Sequence, residues 1–198
     1  MEEYREFLKT NIWENFRWEE TDQQKNIPPP PLQKEYPTDV KQIDLVAPEE
    51  FTVGKMPLID AIKRRKSHRK YSEEPLTFEE LSFLLWAAQG VHEVWRAGAA
   101  TRRTVPSGGS RHPFETYLVI NRVEGLESGL YRYLALEHKL YHIPTEGDLA
   151  ERLDIACRNQ KFVGHSAVAF VWTVIPYRAE WRYDKVAHKI IALDAGHL

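Results

Sequence analysis

The chain lacks the marks of several broad protein classes. Cys157 is its only cysteine among 198 residues, so no intrachain disulfide can form and an oxidising compartment is not implied. No apolar run approaches the roughly 20 residues a membrane-spanning helix needs, so no membrane partner is expected. The opening residues M-E-E-Y-R-E-F are acidic and carry no apolar stretch. No signal peptide is read there, and the expected location is the cytoplasm. Charge of one sign is scarce: the formal net charge is −2, which argues against general nucleic-acid binding and leaves only local basic patches. Neither G-x-G-x-x-G, the glycine fingerprint for dinucleotides, nor G-x-S-x-G, the frame of a serine nucleophile, occurs. His138 and His142 on a strand would stand about 13 Å apart at roughly 3.3 Å per residue, too far to share an ion, so no metal is expected.

What is present suits one soluble globular domain: 42% hydrophobic and 28% charged residues, with 6 Trp, 9 Tyr and 8 Phe for a core. Residues 1–55 read as an irregular arm. A short helix is expected over Glu2–Lys9. The prolines of N-I-P-P-P-P at Asn26–Pro31 forbid helix, so Lys25–Pro48 reads as extended chain. The domain proper is expected over 56–198. Pro57–Lys63 reads as a short helix with Leu58, Ile59 and Ile62 on one face. Thr77–Gln89 is the clearest helix, with a Thr77/Glu80 capping box and an apolar face of Leu81, Leu84, Leu85 and Ala88. His92–Thr101 reads as loop. Phe114–Ile120, Gly129–Tyr133 and His138–Ile143 read as strands, the last two joined by a hairpin turn. Glu146–Asn159 reads as an amphipathic helix with Cys157 a core thiol. The apolar run Ser166–Ile175 predicts a strand covered on both faces. Arg178–Leu198 predicts a single final helix, along which Asp184–His188 and Asp194–His197 could pair. Strands with intervening helices indicate the α+β class, a central sheet packed by helices.

Two stretches carry chemistry. Arg103–Asn121 begins as a turn, broken by Pro106, Gly108 and Gly109 with Ser107 and Ser110 between them, and ends as the strand Phe114–Ile120. Two glycines let backbone come close to a flat or anionic ligand with N–H groups to donate. An ordinary surface loop before a core strand fits the same residues. Upstream, Lys63–Tyr71 reads K-R-R-K-S-H-R-K-Y. Arg forks, a hydroxyl and a backbone turn are what a phosphate dianion needs; a solvated charged face fits the composition too. Ser107, Ser110 and His112 do not form a hydrolase site, since no nucleophile elbow frames either serine.

Together, in this order and at this spacing, the two stretches resemble the FMN-dependent nitroreductase superfamily. Arg65-Lys66-Ser67-His68-Arg69 matches that family's R-R-S-x-R segment, and Pro106 to Phe114 matches its P-S-x-x-N-x-Q-P-W turn, with Ser110, His112 and Phe114 in place of the common Asn, Gln and Trp. The form T-V-P-S-G-G-S-R-H-P looks more like the branch related to the azoline dehydrogenases of peptide-modifying clusters. The resemblance runs from about Asp22 to the end. It implies a mostly antiparallel central sheet and a homodimer with FMN at its interface. Arg65, Lys66, Ser67 and Arg69 would hold the phosphate; Pro106, Ser107, Gly108, Gly109, Ser110 and His112 would lie against the isoalloxazine. It implies hydride transfer through flavin N5 to or from a small nitro, quinone or azoline substrate, with NAD(P)H as donor. Trp181-Arg182-Tyr183 stands where the azoline branch has a Lys-Tyr pair in proton handling, which makes Arg182 and Tyr183 the catalytic candidates. The family continues beyond a segment like Leu193–Leu198, so a truncated chain is expected, and with it the alternative of a non-catalytic, degenerate flavin binder.

Overall fold

The computed structural model describes residues 5–198. The short helix expected over Glu2–Lys9 begins outside the described residues. The strands are β1 (Gln42–Asp44), β2 (Val91–Trp95), β3 (Ala100–Arg103), β4 (Phe114–Ile120), β5 (Gly129–Leu134), β6 (Lys139–Ile143) and β7 (Val168–Val174). The α-helices are α1 (Leu58–Arg64), α2 (Phe78–Gln89), α3 (Leu149–Ala156), α4 (Tyr177–Tyr183) and α5 (Ala187–His197). They fall into two compact units, one of residues 36–88 and 116–172, the other of 1–35, 89–115 and 173–198.

In the unit built on residues 36–88 and 116–172, a five-stranded sheet runs in the order β1-β6-β5-β4-β7. The pairs β1–β6, β6–β5 and β5–β4 are antiparallel. Period-two alternation sends Leu118 and Ile120 of β4, Tyr131 and Tyr133 of β5 and Leu140 of β6 into one cluster with Leu45, Leu81, Leu85 and Val123. Burying each such side chain stabilises the fold by about 1.5–3 kcal/mol. The α+β class and the largely antiparallel sheet are therefore as expected.

Helix α2 begins at the capping box: the Thr77 N–H donates to Glu80 at 2.9 Å and the Glu80 N–H to the Thr77 hydroxyl at 3.1 Å. Its buried face differs from the expected one. Leu81 and Leu85 are fully buried, but Leu84 is 40% exposed and Ser82 lies inside. Ser82 is tolerated there because its hydroxyl donates to the Phe78 carbonyl at 2.7 Å and accepts the Val46 N–H at 3.2 Å. On α1, Leu58, Ile59 and Ile62 are all exposed. Helix α3 is shorter than expected; Asp148 caps it through the Glu151 N–H, and Arg158 and Asn159 turn left-handed just beyond it. His138 uses both ring nitrogens locally, with the Tyr133 hydroxyl at 2.8 Å and the Val46 carbonyl at 3.0 Å.

Two expectations for the C-terminal elements also fail. The β7 run is not covered on both faces: it is the last strand in the sheet order, and its outer half is exposed, including Trp172 and Val174. The final helix is not single. Asp184 adopts φ 42°, ψ −126°, which stops α4; one 3-10 turn follows before α5 starts. This lies outside the left-handed helical region that aspartate tolerates, so the surrounding structure must hold it. The break pairs His188 with Glu180 at 2.9 Å instead of with Asp184.

The unit of residues 1–35, 89–115 and 173–198 carries α4, α5 and the β2–β3 hairpin. The hairpin replaces the loop expected over His92–Thr101. Arg96, Ala97 and Gly98, all with positive φ, make its turn.

Candidate functional site

The turn from Pro106 to His112 holds an unusual backbone. Ser107 is extended, Gly108–Ser110 form a single 3-10 turn, and Gly109, Ser110 and His112 have φ of 60°, 58° and 41°. A left-handed serine and histidine each cost on the order of 1 kcal/mol, so the surroundings must hold them. Asp194 of α5 does so. Its buried carboxylate accepts the Ser107 hydroxyl at 2.6 Å and the Gly108 N–H at 3.0 Å. The Ser107 oxygen in turn accepts the His112 N–H at 2.9 Å, which closes the loop on itself.

The glycines serve packing rather than an open cleft. A Cβ added at Gly108 would lie 2.3 Å from Cγ2 of Ile190, and one at Gly109 would lie 2.5 Å from Cδ and Nε of Arg182 and 2.7 Å from the Tyr183 hydroxyl. The space the sequence reading reserved for a ligand beside these glycines is thus occupied by α4 and α5. The Gly108 N–H, expected to be available to a ligand, is spent on Asp194. The same geometry brings two sets of predicted residues together: the turn rests on Arg182 and Tyr183.

Apart from the carboxylates of Asp194 and Glu115, the charged side chains around the turn are arginines. The Arg182 guanidinium lies 4.8 Å from the Trp18 ring and 5.5 Å from the Tyr183 ring, with Nη1 donating to Gln23 at 2.6 Å. Arg111 is buried, stacks 5.0 Å from the Trp181 ring and donates to the Ala99 carbonyl. Burial, with Arg182 and Arg96 nearby, pulls its pKa down to about 10, so it stays protonated at neutral pH. His112 is also buried; desolvation, then Arg103, push it down to about 3, which keeps its ring neutral. Arg178 and Glu115 form a buried pair at 2.5 Å, and Arg178 also donates to Pro31 at 2.8 Å. Pro106 is exposed, and Ser107 to Ser110 are half-buried.

Arg65, Lys66, Ser67 and Arg69 belong to the other unit, directly after α1, and are exposed. Among the described residues none of the three cations has an ion pair; Arg69 sits 5.8 Å from the Phe162 ring.

Comparison with known proteins decides the family. The profile of the nitroreductase family matches residues 62–198. The chain belongs to the nitroreductase family. It is 29% identical over 160 residues to a nitroreductase-type protein of Methanocaldococcus jannaschii, covering 81% of this chain and 75% of that one. It is 30% identical over 113 residues to the trifolitoxin-processing protein TfxB of Rhizobium leguminosarum bv. trifolii, covering 53% of this chain but 29% of TfxB. That relative accords with the resemblance to the peptide-modifying branch. A nitroreductase-type crystal structure from Anabaena variabilis shares the fold with a TM-score of 0.62 at 24% identity; it matches 99% of this chain, which spans 36% of the Anabaena chain.

Within this nitroreductase-family chain, sequence reasoning missed the residues that fix the turn. Asp194 was weighed only against His197, and the two stand 3.9 Å apart. Arg111 lay inside the turn motif with no role given to it, and the Arg178–Glu115 pair joins residues far apart in sequence. Their partners, Asp194 with Ser107 and Gly108, Arg111 with Trp181, and Arg178 with Glu115, are all far apart in sequence.

Proposed function

We propose that this nitroreductase-family chain is an FMN-dependent oxidoreductase that passes hydride to or from a small nitro, quinone or azoline substrate, as a homodimer, with NADH or NADPH as donor. The flavin supplies hydride transfer at its N5 when bound. Arg65, Lys66, Ser67 and Arg69 would hold its phosphate, and their fit rests on three exposed cations without ion pairs beside a hydroxyl. Pro106, Ser107, Gly108, Gly109, Ser110 and His112 would border its ring.

The observation that carries the reading is the contact of the turn with Arg182 and Tyr183. It joins the motif residues proposed for the cofactor to those proposed for chemistry. Arginine stays protonated and cannot serve as a base, so Arg182 would bind an anion or stabilise developing negative charge. The Tyr183 hydroxyl is the group beside the turn that can donate or accept a proton. Neutral His112 would orient and pack rather than deliver a proton. This assignment favours general flavin reduction over azoline oxidation, which needs a base for a carbon-bound proton. A second reading, a non-catalytic flavin binder, draws on the filling of the space beside Gly108 and Gly109 by protein atoms.

The test is the visible spectrum of purified protein, followed by release and identification of the chromophore and by turnover with NADH or NADPH. Bound FMN with turnover supports the enzyme; bound FMN without it supports the second reading. Arg65→Ala should weaken FMN by roughly tenfold, the loss of one charge-assisted contact. Unchanged affinity would remove the phosphate assignment.

A further inference from the structure

Among the described residues, three buried side-chain polar atoms in the unit that carries the turn find no hydrogen-bond partner: Trp95 Nε1, Arg111 Nε and Arg182 Nε. All three are donors. The residue that lies between the other two in sequence, Arg111, is 5% exposed, so its guanidinium cannot satisfy itself with bulk water. An unpaired buried cation is unfavourable by several kcal/mol unless an opposite charge meets it.

The neighbours do not supply that charge. Those that act on Arg111 are Arg182, Arg96, Tyr183 and Arg178, three guanidiniums and a phenol. Arg178 is already neutralised by Glu115. Arg96, Arg111 and Arg182 have no ion pair among the described residues. Each instead lies over an aromatic ring: Arg96 is 4.2 Å from Trp95, Arg111 is 5.0 Å from Trp181 and Arg182 is 4.8 Å from Trp18. The Ala99 carbonyl takes one N–H of Arg111 and Gln23 takes one of Arg182, which leaves the buried Nε–H of each for an anionic partner. A planar two-oxygen anion matches a guanidinium edge.

We infer that Arg111, with Arg182 and the hairpin residue Arg96, forms a subsite for the carboxylate of an organic acid. Its place in catalysis, recognition of a carboxylate-bearing substrate, rests on the flavin oxidoreductase reading; the binding itself does not. Donor-only chemistry discriminates sharply. A carboxylate fills the acceptor role twice, whereas its neutral amide isostere presents one acceptor and brings two N–H groups against cations.

The experiment is a titration of the full chain followed by tryptophan fluorescence, since Trp95 and Trp181 stack on the arginines in question. The probes are benzoate and its neutral isostere benzamide at constant ionic strength. Benzoate should quench saturably and bind at least about tenfold more tightly than benzamide. Arg96→Gln, an exposed change, and Arg111→Gln should each weaken benzoate roughly tenfold. If Arg111→Gln does not fold, Arg96→Gln decides alone. Equal responses to benzoate and benzamide, or an unchanged benzoate affinity in Arg96→Gln, would overturn the subsite. So would an Arg96→Gln protein that loses FMN but not riboflavin affinity, because the cluster would then serve the flavin phosphate. A protein that purifies without flavin would defeat the oxidoreductase reading and leave the benzoate result to stand by itself.

Discussion

Removing the Asp194 carboxylate should unlock the turn while leaving the sheet intact. The side chain is 3% exposed and accepts two hydrogen bonds, from the Ser107 hydroxyl at 2.6 Å and the Gly108 N–H at 3.0 Å. Bonds to a charged acceptor contribute about 1.5–3 kcal/mol each, and the orphaned donors would stay half-buried. Asp194→Ala should therefore cost about 3–5 kcal/mol, a large share of the roughly 5–15 kcal/mol that stabilises a domain. Asp194→Asn keeps one acceptor oxygen and should cost about half as much. The assay is urea unfolding followed by the fluorescence of buried Trp181, with Ser107→Ala completing a double-mutant cycle. Ser107→Ala also removes the acceptor of the His112 N–H, so its own cost exceeds the shared bond. The coupling between the two sites should be about 1–3 kcal/mol. An Asp194→Ala protein within about 0.5 kcal/mol of the parent, or strictly additive effects, would refute the clamp.

Three further outcomes follow from the same unit. Arg178→Met should cost about 3–5 kcal/mol by removing the cation paired with the buried Glu115 carboxylate, and adding Glu115→Gln should recover part of it; equal costs for the single and double changes would argue against a buried pair. His112 titrates near 6.5 when unfolded but is held down to about 3 in the fold, so the unfolded chain binds the extra proton between those values. Stability from this group is complete above about pH 6.5 and lost as pH falls toward 3, at about 1.4 kcal/mol per pH unit; His112→Asn, which tolerates the left-handed backbone, should flatten that limb in acid unfolding curves. Gly108→Ala should cost about 1–3 kcal/mol because its Cβ meets Ile190 at 2.3 Å, and Ile190→Ala in the same chain should relieve part of the clash; a Gly108→Ala protein as stable as the parent would contradict the packing.

Local rules made much of the fold legible. The Thr77/Glu80 capping box, the alternating strands β5 and β6 and the apolar strand β4 could be read directly, because each depends on neighbours within a few residues. The failures came where long-range structure overrode local pattern. V-H-E-V-W pairs as β2 only because Ala100–Arg103 returns beside it, and three positive-φ residues make that return. The apolar β7 looks like an interior strand, yet its place in the sheet order is set by pairing, not by composition. Asp184 breaks the last helix in a conformation that its own propensity does not favour.

The turn shows the same division within the candidate site. Its proline, glycines and serines announce a tight, irregular backbone, and the residue types at Arg65–Arg69 would suit an anion. What they cannot announce is the direction in which the glycines face. That depends on Asp194, 86 residues along from Gly108, whose carboxylate draws the Gly108 N–H toward α5. Once that bond forms, the side of Gly108 and Gly109 without a Cβ must face Ile190, Arg182 and Tyr183. The glycines thus let α4 approach the turn to within side-chain contact, so substitutions at Gly109 should alter Arg182 and Tyr183 before they alter any ligand. Gly109→Ala, strained by a φ of 60° and a Cβ 2.5 Å from Arg182, should change the environment of Trp18, which stacks on that arginine, even in protein stripped of flavin. An unchanged Trp18 emission, measured against a Trp18→Phe control, would mean that the turn and the helix are not in contact.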